Sequence, residues 1–219
     1  MSVLAGLFLG DAAARLRASV VAIVDESHGS GRGRRASRGG HGAGFAWGGA
    51  VGGGGGGGDL FVTSAHVVSS RTAVVLTPDG RAVEGTVVGR DVDRDIALLH
   101  APGARLPAVT VGDPYALRPG SLVFAVGHPL GVKDAVSVGV FQAVRAVPRG
   151  YGMAEQRPRR GRSPFLPWVQ ADVRLAPGNS GGPIADVEGN VIGVAAMIVS
   201  GLALAVPAPD FERLLSQSA

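Results

Sequence analysis

Ser180 sits in the stretch "RLAPGNSGGPIAD", fenced by glycines and prolines, where a tight turn could present its hydroxyl to a substrate. A serine hydroxyl is a weak nucleophile at neutral pH, so covalent chemistry there needs a base within hydrogen-bond reach. The run Gly178-Asn179-Ser180-Gly181-Gly182 satisfies G-x-S-x-G, the pattern of an α/β-hydrolase nucleophile elbow. That elbow takes its histidine from after the serine, and the last of the five histidines here is His128. Any base must come from upstream.

His28 and His41 lie in a Gly/Arg-rich loop, where nothing would hold an imidazole in place. His66 ends the apolar run "FVTSAHVV" among small residues that let other side chains approach, and it is the best base. A buried carboxylate facing such a base fixes its tautomer and stabilises the imidazolium. Asp95 opens "DIALL", where a loop enters a buried strand, while Asp79 is occupied in a Pro-Asp-Gly turn and Asp91 and Asp93 lie outside that strand. Taken singly, each has an ordinary reading: a packed histidine, a strand-edge acid, a turn serine. Taken together they suit acyl transfer. The chain has no cysteine, which removes disulfides, zinc–thiolate sites and a thiol nucleophile, and no cofactor or metal is expected.

The elements that must position these residues read as all-β. Apolar residues make up 46% of the 219 residues and aromatics only 5%, so the core is built from Val, Ala, Leu and Ile. Brief apolar runs separated by Gly, Pro and Asp follow one another: "SVVAIV", "GAGFAW", "LFVTSAHVV", "TAVVLT", "AVEGTVVGR", "DIALLHA", "SLVFAVGH", "AVSVGVFQAV", "PWVQADV", "GPIAD", "NVIGVAAMIV" and "LALAVP". Eleven or so strands fit two small closed sheets. "TPDG" and "DVEGN" supply hairpin turns, and the glycine tract 52–58 reads as an elongated hairpin loop. A short helix is expected around Asp11 to Arg17, and the one clear helix is terminal, "PDFERLL", about 208–216.

The net charge of +4 and pI near 10.5 raise the question of a nucleic-acid partner. Eight of the 21 basic residues fall in two loops, Arg32, Arg34, Arg35 and Arg38 in one and Arg157, Arg159, Arg160 and Arg162 in the other; the remaining 13 face 17 acidic residues. Neither loop has aromatic interleaving, so both read as solvated and no specific nucleic acid is expected. Contact with an anionic surface such as a membrane stays open. "SVLAGLFLG" at the N-terminus is too short to span a bilayer and lacks the basic start of a signal peptide; it reads as a packing strip or a truncated anchor. A cytoplasmic protein follows if that terminus is complete, a cell-envelope one if it is truncated.

"TSAHVV", "DRDIALL" and "GNSGGP", in the order His, Asp, Ser, resemble the chymotrypsin-fold serine proteases, and specifically the protease domain of the HtrA/Deg family. "GDPYALRPGSLVFAVGHPLG", "SVGVFQAV", "VQADV" and "GNVIGV" extend the resemblance from about Ser19 to Pro207. It implies two six-stranded antiparallel β-barrels, about 19–108 and 114–206, after an N-terminal segment 1–18, with the active site in the cleft between them. It also implies an endopeptidase acting on unfolded or damaged proteins through an acyl-enzyme, with His66, Asp95 and Ser180 as triad. Backbone N–H groups of Gly178 and Ser180 would form the oxyanion hole.

Asn179 cannot make the ion pair by which digestive enzymes of this fold are activated, so control by loop ordering is expected, accompanied in the family by trimer formation. Arg174 stands where trypsin-like enzymes keep an aspartate, so cleavage after Lys or Arg is not expected. The resemblance makes Met197, Ile198 and Gly201 walls of a pocket for Val, Ala, Leu or Ile. Family members commonly carry PDZ domains after the protease, and peptide sensing by one is expected to be absent from this chain. His128 stands where the family usually has asparagine. The alternative is a catalytically silent relative that binds peptides as a chaperone-like module.

Overall fold

The computed structural model describes residues 2–25, 40–48, 58–128, 135–148 and 163–211. The short Val- and Ala-rich runs form twelve strands there, since β-branched side chains suit a pleated surface that is buried on at least one face. β1 (Val20–Asp25), β2 (Gly40–Trp47), β3 (Leu60–Thr63), β4 (Thr72–Leu76), β5 (Ala82–Asp91) and β6 (Ile96–His100) close into one barrel in the order β1-β2-β3-β6-β5-β4. A second barrel, ordered β10-β11-β12-β9-β8-β7, is built from β7 (Leu122–Gly127), β8 (Ala135–Pro148), β9 (Phe165–Asp172), β10 (Pro183–Asp186), β11 (Val191–Val199) and β12 (Leu202–Pro207). Neighbouring strands pair antiparallel in both, as the sequence implied.

The period of two along each strand divides the core into three. Val21, Ile23, Phe61, Val75, Ala97 and Leu99 fill the first barrel, and Val123, Phe141, Val169, Ile184, Ile192 and Ala203 fill the second. The opposite faces of the same strands, with Phe45, Val62 and Leu98 from one barrel and Phe124, Val126 and Val194 from the other, belong to a third cluster that joins the barrels.

The two hairpin turns lie where the sequence put them. Gly80 at φ +88° closes β4–β5 and Gly189 at φ +90° closes β10–β11. In the first turn the Thr77 hydroxyl and then Arg81 donate to Asp79, which holds its carboxyl down from 3.8 to about 2.

The N-terminal helix departs from expectation. α1 runs Ser2–Arg17, sixteen residues rather than a short turn beginning at Asp11, and it is a second clear helix beside the terminal one. Ala and Leu have high helix propensity, and Arg15 and Arg17 in the last turn favour the negative end of the helix dipole. Ala12 and Leu16 are buried in the shared cluster, and Arg15 donates to the Glu188 carbonyl of the second barrel. The terminal helix begins at 208–211, where Phe211 packs edge-on against Trp47 (4.7 Å between centroids) and Phe45 (6.0 Å) of β2. Its expected continuation, the 52–57 glycines, His28 and both arginine clusters lie outside the described residues.

Candidate active site

β3 and β6 pair antiparallel through Thr63↔Ala97, and that register carries on past the strand ends. Ala65 N–H donates to the Asp95 carbonyl (3.1 Å), so the turn after β3 and the turn before β6 lie side by side. The Asp95 carboxylate then meets the next residue twice. Oδ1 accepts the His66 backbone N–H (2.9 Å) and Oδ2 lies 2.7 Å from His66 Nδ1. An ionised carboxylate only accepts, so this contact puts the imidazole proton on Nδ1 and leaves Nε2 as the basic nitrogen. Asp95 is 3% exposed at its side chain and the His66 ring 49%, an acid buried behind a base that faces solvent. The acid occupies the left-handed region at φ +57°, a conformation that aspartate adopts more readily than most residues but still at a cost.

The turn after His66 is held from both sides. Asp25, buried at the end of β1, accepts from the Ser69 N–H (2.6 Å), the Ser69 hydroxyl (2.6 Å) and the Ser70 N–H (3.1 Å). Arg90 of β5 donates to the carbonyls of Val68, Ser69 and Ser70. Asp25 is also the residue from which the chain enters 26–39, the segment that carries the first arginine cluster.

Ser180 comes from the second barrel and is seated on the first. Its carbonyl accepts from Ala43 N–H of β2 (2.8 Å). Gly42 has room for no side chain, because a Cβ there would lie 2.8 Å from that carbonyl and 2.5 Å from Val67, the neighbour of His66. Gly181, at φ +83°, presses onto the end of β3: a Cβ would overlap Thr63 Oγ1 and the Ala43 carbonyl and lie 2.8 Å from Ser64 N. Ser64 Oγ and Gly181 N–H both donate to the Ala195 carbonyl of β11. The serine turn and the histidine turn are thus fastened to the same strand ends.

Before the serine, Asn179 N–H donates to the Ala176 carbonyl (3.0 Å) with Pro177 and Gly178 between them, and Gly178 has φ +105°. This is a type II turn. The Gly178 carbonyl accepts from His128 N–H (3.2 Å). Asn179, Gly181 and Gly182 spend their N–H groups on Ala176, Ala195 and Asn179. Among the described residues the N–H groups of Gly178 and Ser180 have no acceptor, and these are the two assigned from the sequence to an oxyanion.

Met197 is half-buried on β11, Ile198 is 49% exposed, and Gly201 lies at φ +83° in the β11–β12 turn. β10 pairs with β11 only as far as Val194, so the far edge of 196–199 has no strand partner among the described residues. Arg174 is exposed on the stretch leading to the serine. A cavity of about 190 Å³ on the outer face of the second barrel, lined by Arg145, Val147, Gln170, Val199 and Leu204, shares no residue with this site. Sequence reasoning missed Asp25, Arg90 and Gly42, whose roles rest on side-chain-to-backbone contacts and on close approach.

The trypsin-like peptidase domain model matches residues 42–194, well over half of the chain. Among curated proteins, the putative serine protease HhoB of Synechocystis sp. is 36% identical over 150 residues, 67% of this chain and 34% of the relative. A probable periplasmic serine endoprotease, DegP-like, of Halomonas elongata is 34% identical over 154 residues (67% and 30%). Human serine protease HTRA3 is 30% identical over 167 (72% and 35%). The chain spans about a third of the length of these relatives. Among solved structures, the active form of the Rv3671c protease from M. tuberculosis superposes with TM-score 0.77 at 22% identity, over 98% of this chain and 86% of that one. The HtrA-type protease AlgW with a tripeptide gives 0.74 at 24% identity, over 95% and 62%. The family match begins on β2 and ends on β11, taking in His66, Asp95 and Ser180 and most strands of the two barrels that carry them, and the chain belongs to the trypsin-like peptidases.

Proposed function

We propose that this chain is a serine endopeptidase domain in which Ser180, His66 and Asp95 cut polypeptides through an acyl-enzyme. The observation that carries the reading is the double contact of Asp95 with His66 at the strand ends onto which Gly181 fastens Ser180. Ser180 Oγ attacks the peptide carbonyl carbon while His66 Nε2 takes its proton. The oxygen of the tetrahedral intermediate gathers negative charge opposite the N–H groups of Gly178 and Ser180, which bond to no acceptor among the described residues. The C–N bond then breaks and His66 gives the proton to the leaving amine. Water repeats the cycle on the ester, with His66 again taking the proton, and releases the acid. Asp95 stays ionised throughout.

An unfolded substrate suits the site because it can add as a strand along the open edge of β11, where backbone groups bond whatever the sequence. The apolar Met197 and Ile198 beside that edge, with Arg174 where a basic side chain would be repelled, favour small or branched aliphatic residues before the cut, with Gly201 on the pocket rim. The curated relatives are named as serine proteases or endoproteases, which supports polypeptide as the substrate class. A homotrimer is the assembly that the resemblance suggests. Among the described residues no helix is long and apolar enough to cross a membrane.

Labelling with a fluorophosphonate followed by peptide mapping tests the assignment. The expected result is a single adduct on Ser180 and no proteolysis of an unfolded protein by folded Ser180→Ala. An adduct elsewhere, or undiminished cleavage by that variant, overturns the assignment of Ser180. Absence of both adduct and cleavage in the wild type overturns the endopeptidase and leaves the chaperone-like reading.

A further inference from the structure

The turn that delivers Asp95 is closed by its own neighbour. Asp91, at the end of β5, accepts from Arg94 N–H (3.1 Å) and from Arg94 Nη1 (2.9 Å), so backbone and side chain of Arg94 bind one carboxylate. Asp95 N–H completes the turn to Val92 O (3.3 Å), and the left-handed Asp95 follows at once. The other side of the guanidinium faces the end of the chain. Arg94 Nε is fully buried, has no hydrogen-bond partner among the described residues, and lies 4.0 Å from Asp210 Oδ2. A buried cationic N–H without a hydrogen bond is costly, and the nearby carboxylate is what compensates it. Asp210 is itself held in place, because Phe211 beside it is buried against Phe45 and Trp47.

We infer that Arg94 is a positioning residue for Asp95, and that it takes its own position from the C-terminal helical segment through Asp210. The inference rests on the triad reading above. A segment that leaves the second barrel thereby fixes the acid of the first, while Ser180 arrives from the second. The two halves of the reactive group are registered twice across the cleft, once at Gly181 and once at Arg94. Arginine suits the post because its planar fork can serve two carboxylates in different directions, whereas lysine offers one point of charge.

The test compares wild type, Arg94→Met, Asp210→Asn and the double variant, all checked for folding by circular dichroism, on a small ester substrate and in fluorophosphonate labelling. Misplacing a triad member by a fraction of an ångström to an ångström lowers the chemical step by up to about a hundredfold, so Arg94→Met is expected to lose kcat and labelling rate in that range with KM unchanged. Arg94→Lys recovers part of the loss. Asp210→Asn gives a smaller loss in the same direction, and the double variant is no slower than Arg94→Met alone, because both act through one contact. If Arg94→Met fails to fold, Asp210→Asn alone decides. Wild-type kcat in both folded variants overturns the inference, and a loss in Arg94→Met that simply adds to that of Asp210→Asn overturns the link to the C-terminal segment. Absence of labelling at Ser180 in the wild type overturns the triad reading instead, which keeps the two failures apart.

Discussion

At Gly178 the backbone has two ways of closing the turn from Ala176 to Asn179, and they differ in where one N–H points. Rotating the Pro177–Gly178 peptide by half a turn converts type II into type I, keeps the Asn179-to-Ala176 bond, and swings the Gly178 N–H to the opposite side. The observed φ of +105° selects one of them, and only glycine holds it without strain. Gly178→Ala is therefore expected to fold, to let the turn fall to type I, and to lose about a hundred- to a thousandfold in kcat with little change in KM. Near-normal kcat on a small ester would show that Gly178 N–H serves no developing charge. The residue level was partly legible in the sequence. Glycine spacing around Ser180 and chain order among the histidines single out positions, but the φ values, and the choice of which N–H groups stay unspent, exist only once the turn is closed.

Strand by strand, the chain advertised its fold well. Runs such as "TAVVLT" and "DIALLHA" are short, β-branched and bounded by Gly, Pro or Asp, and each became a strand of a closed barrel. The pairing of His66 with Asp95 was legible for the same reason, since His66 lies just after the strand part of one such run and Asp95 opens another. α1 was read as too short because "SVLAGLFLG" is apolar on every side and contains two glycines, which hides the helical period that Asp11 to Arg17 still shows. The Asp25 and Arg90 grip was invisible: bonds from side chains to backbone leave no periodic trace. It predicts a ranking. Asp25→Ala takes a buried carboxylate away from three donors on the part-exposed Ser69–Ser70 turn and is expected to cost about 2 kcal/mol in urea unfolding, with reduced kcat. Arg90→Met frees carbonyls that water can reach and should cost only about 1 kcal/mol. The reverse order would mean that Arg90, not Asp25, carries the His66 turn.

Across the whole molecule each end of the described chain is packed on the barrel it does not adjoin. α1 precedes β1 of the first barrel but lies against the second, at β7 and the Glu188–Gly189 turn. The segment after β12 of the second barrel lies against β2 of the first. Separating the barrels requires both straps to detach, so the chain should unfold as one cooperative unit. Phe211→Ala removes a fully buried ring from the 208–211 strap and is expected to cost about 3–5 kcal/mol in denaturant unfolding. A loss below about 1 kcal/mol would show that this strap contributes little.

That division of labour between the barrels also sets the order in which the parts of the proposed site become available. Synthesis runs from the N-terminus, so every strand of the first barrel leaves the ribosome before any strand of the second. Until the second barrel is made, no serine turn exists opposite His66 and Asp95, α1 has no Glu188–Gly189 turn to rest against, and the 208–211 helix is not there to cover β2. Ser180 follows His66 and Asp95 along the chain, and Asp210 and Phe211 come three strands after Ser180. The contact of Asp210 with Arg94 is thus among the last that a growing chain can make, so on the triad reading a chain cut short before Asp210 carries Ser180 but lacks the contact proposed to seat its acid.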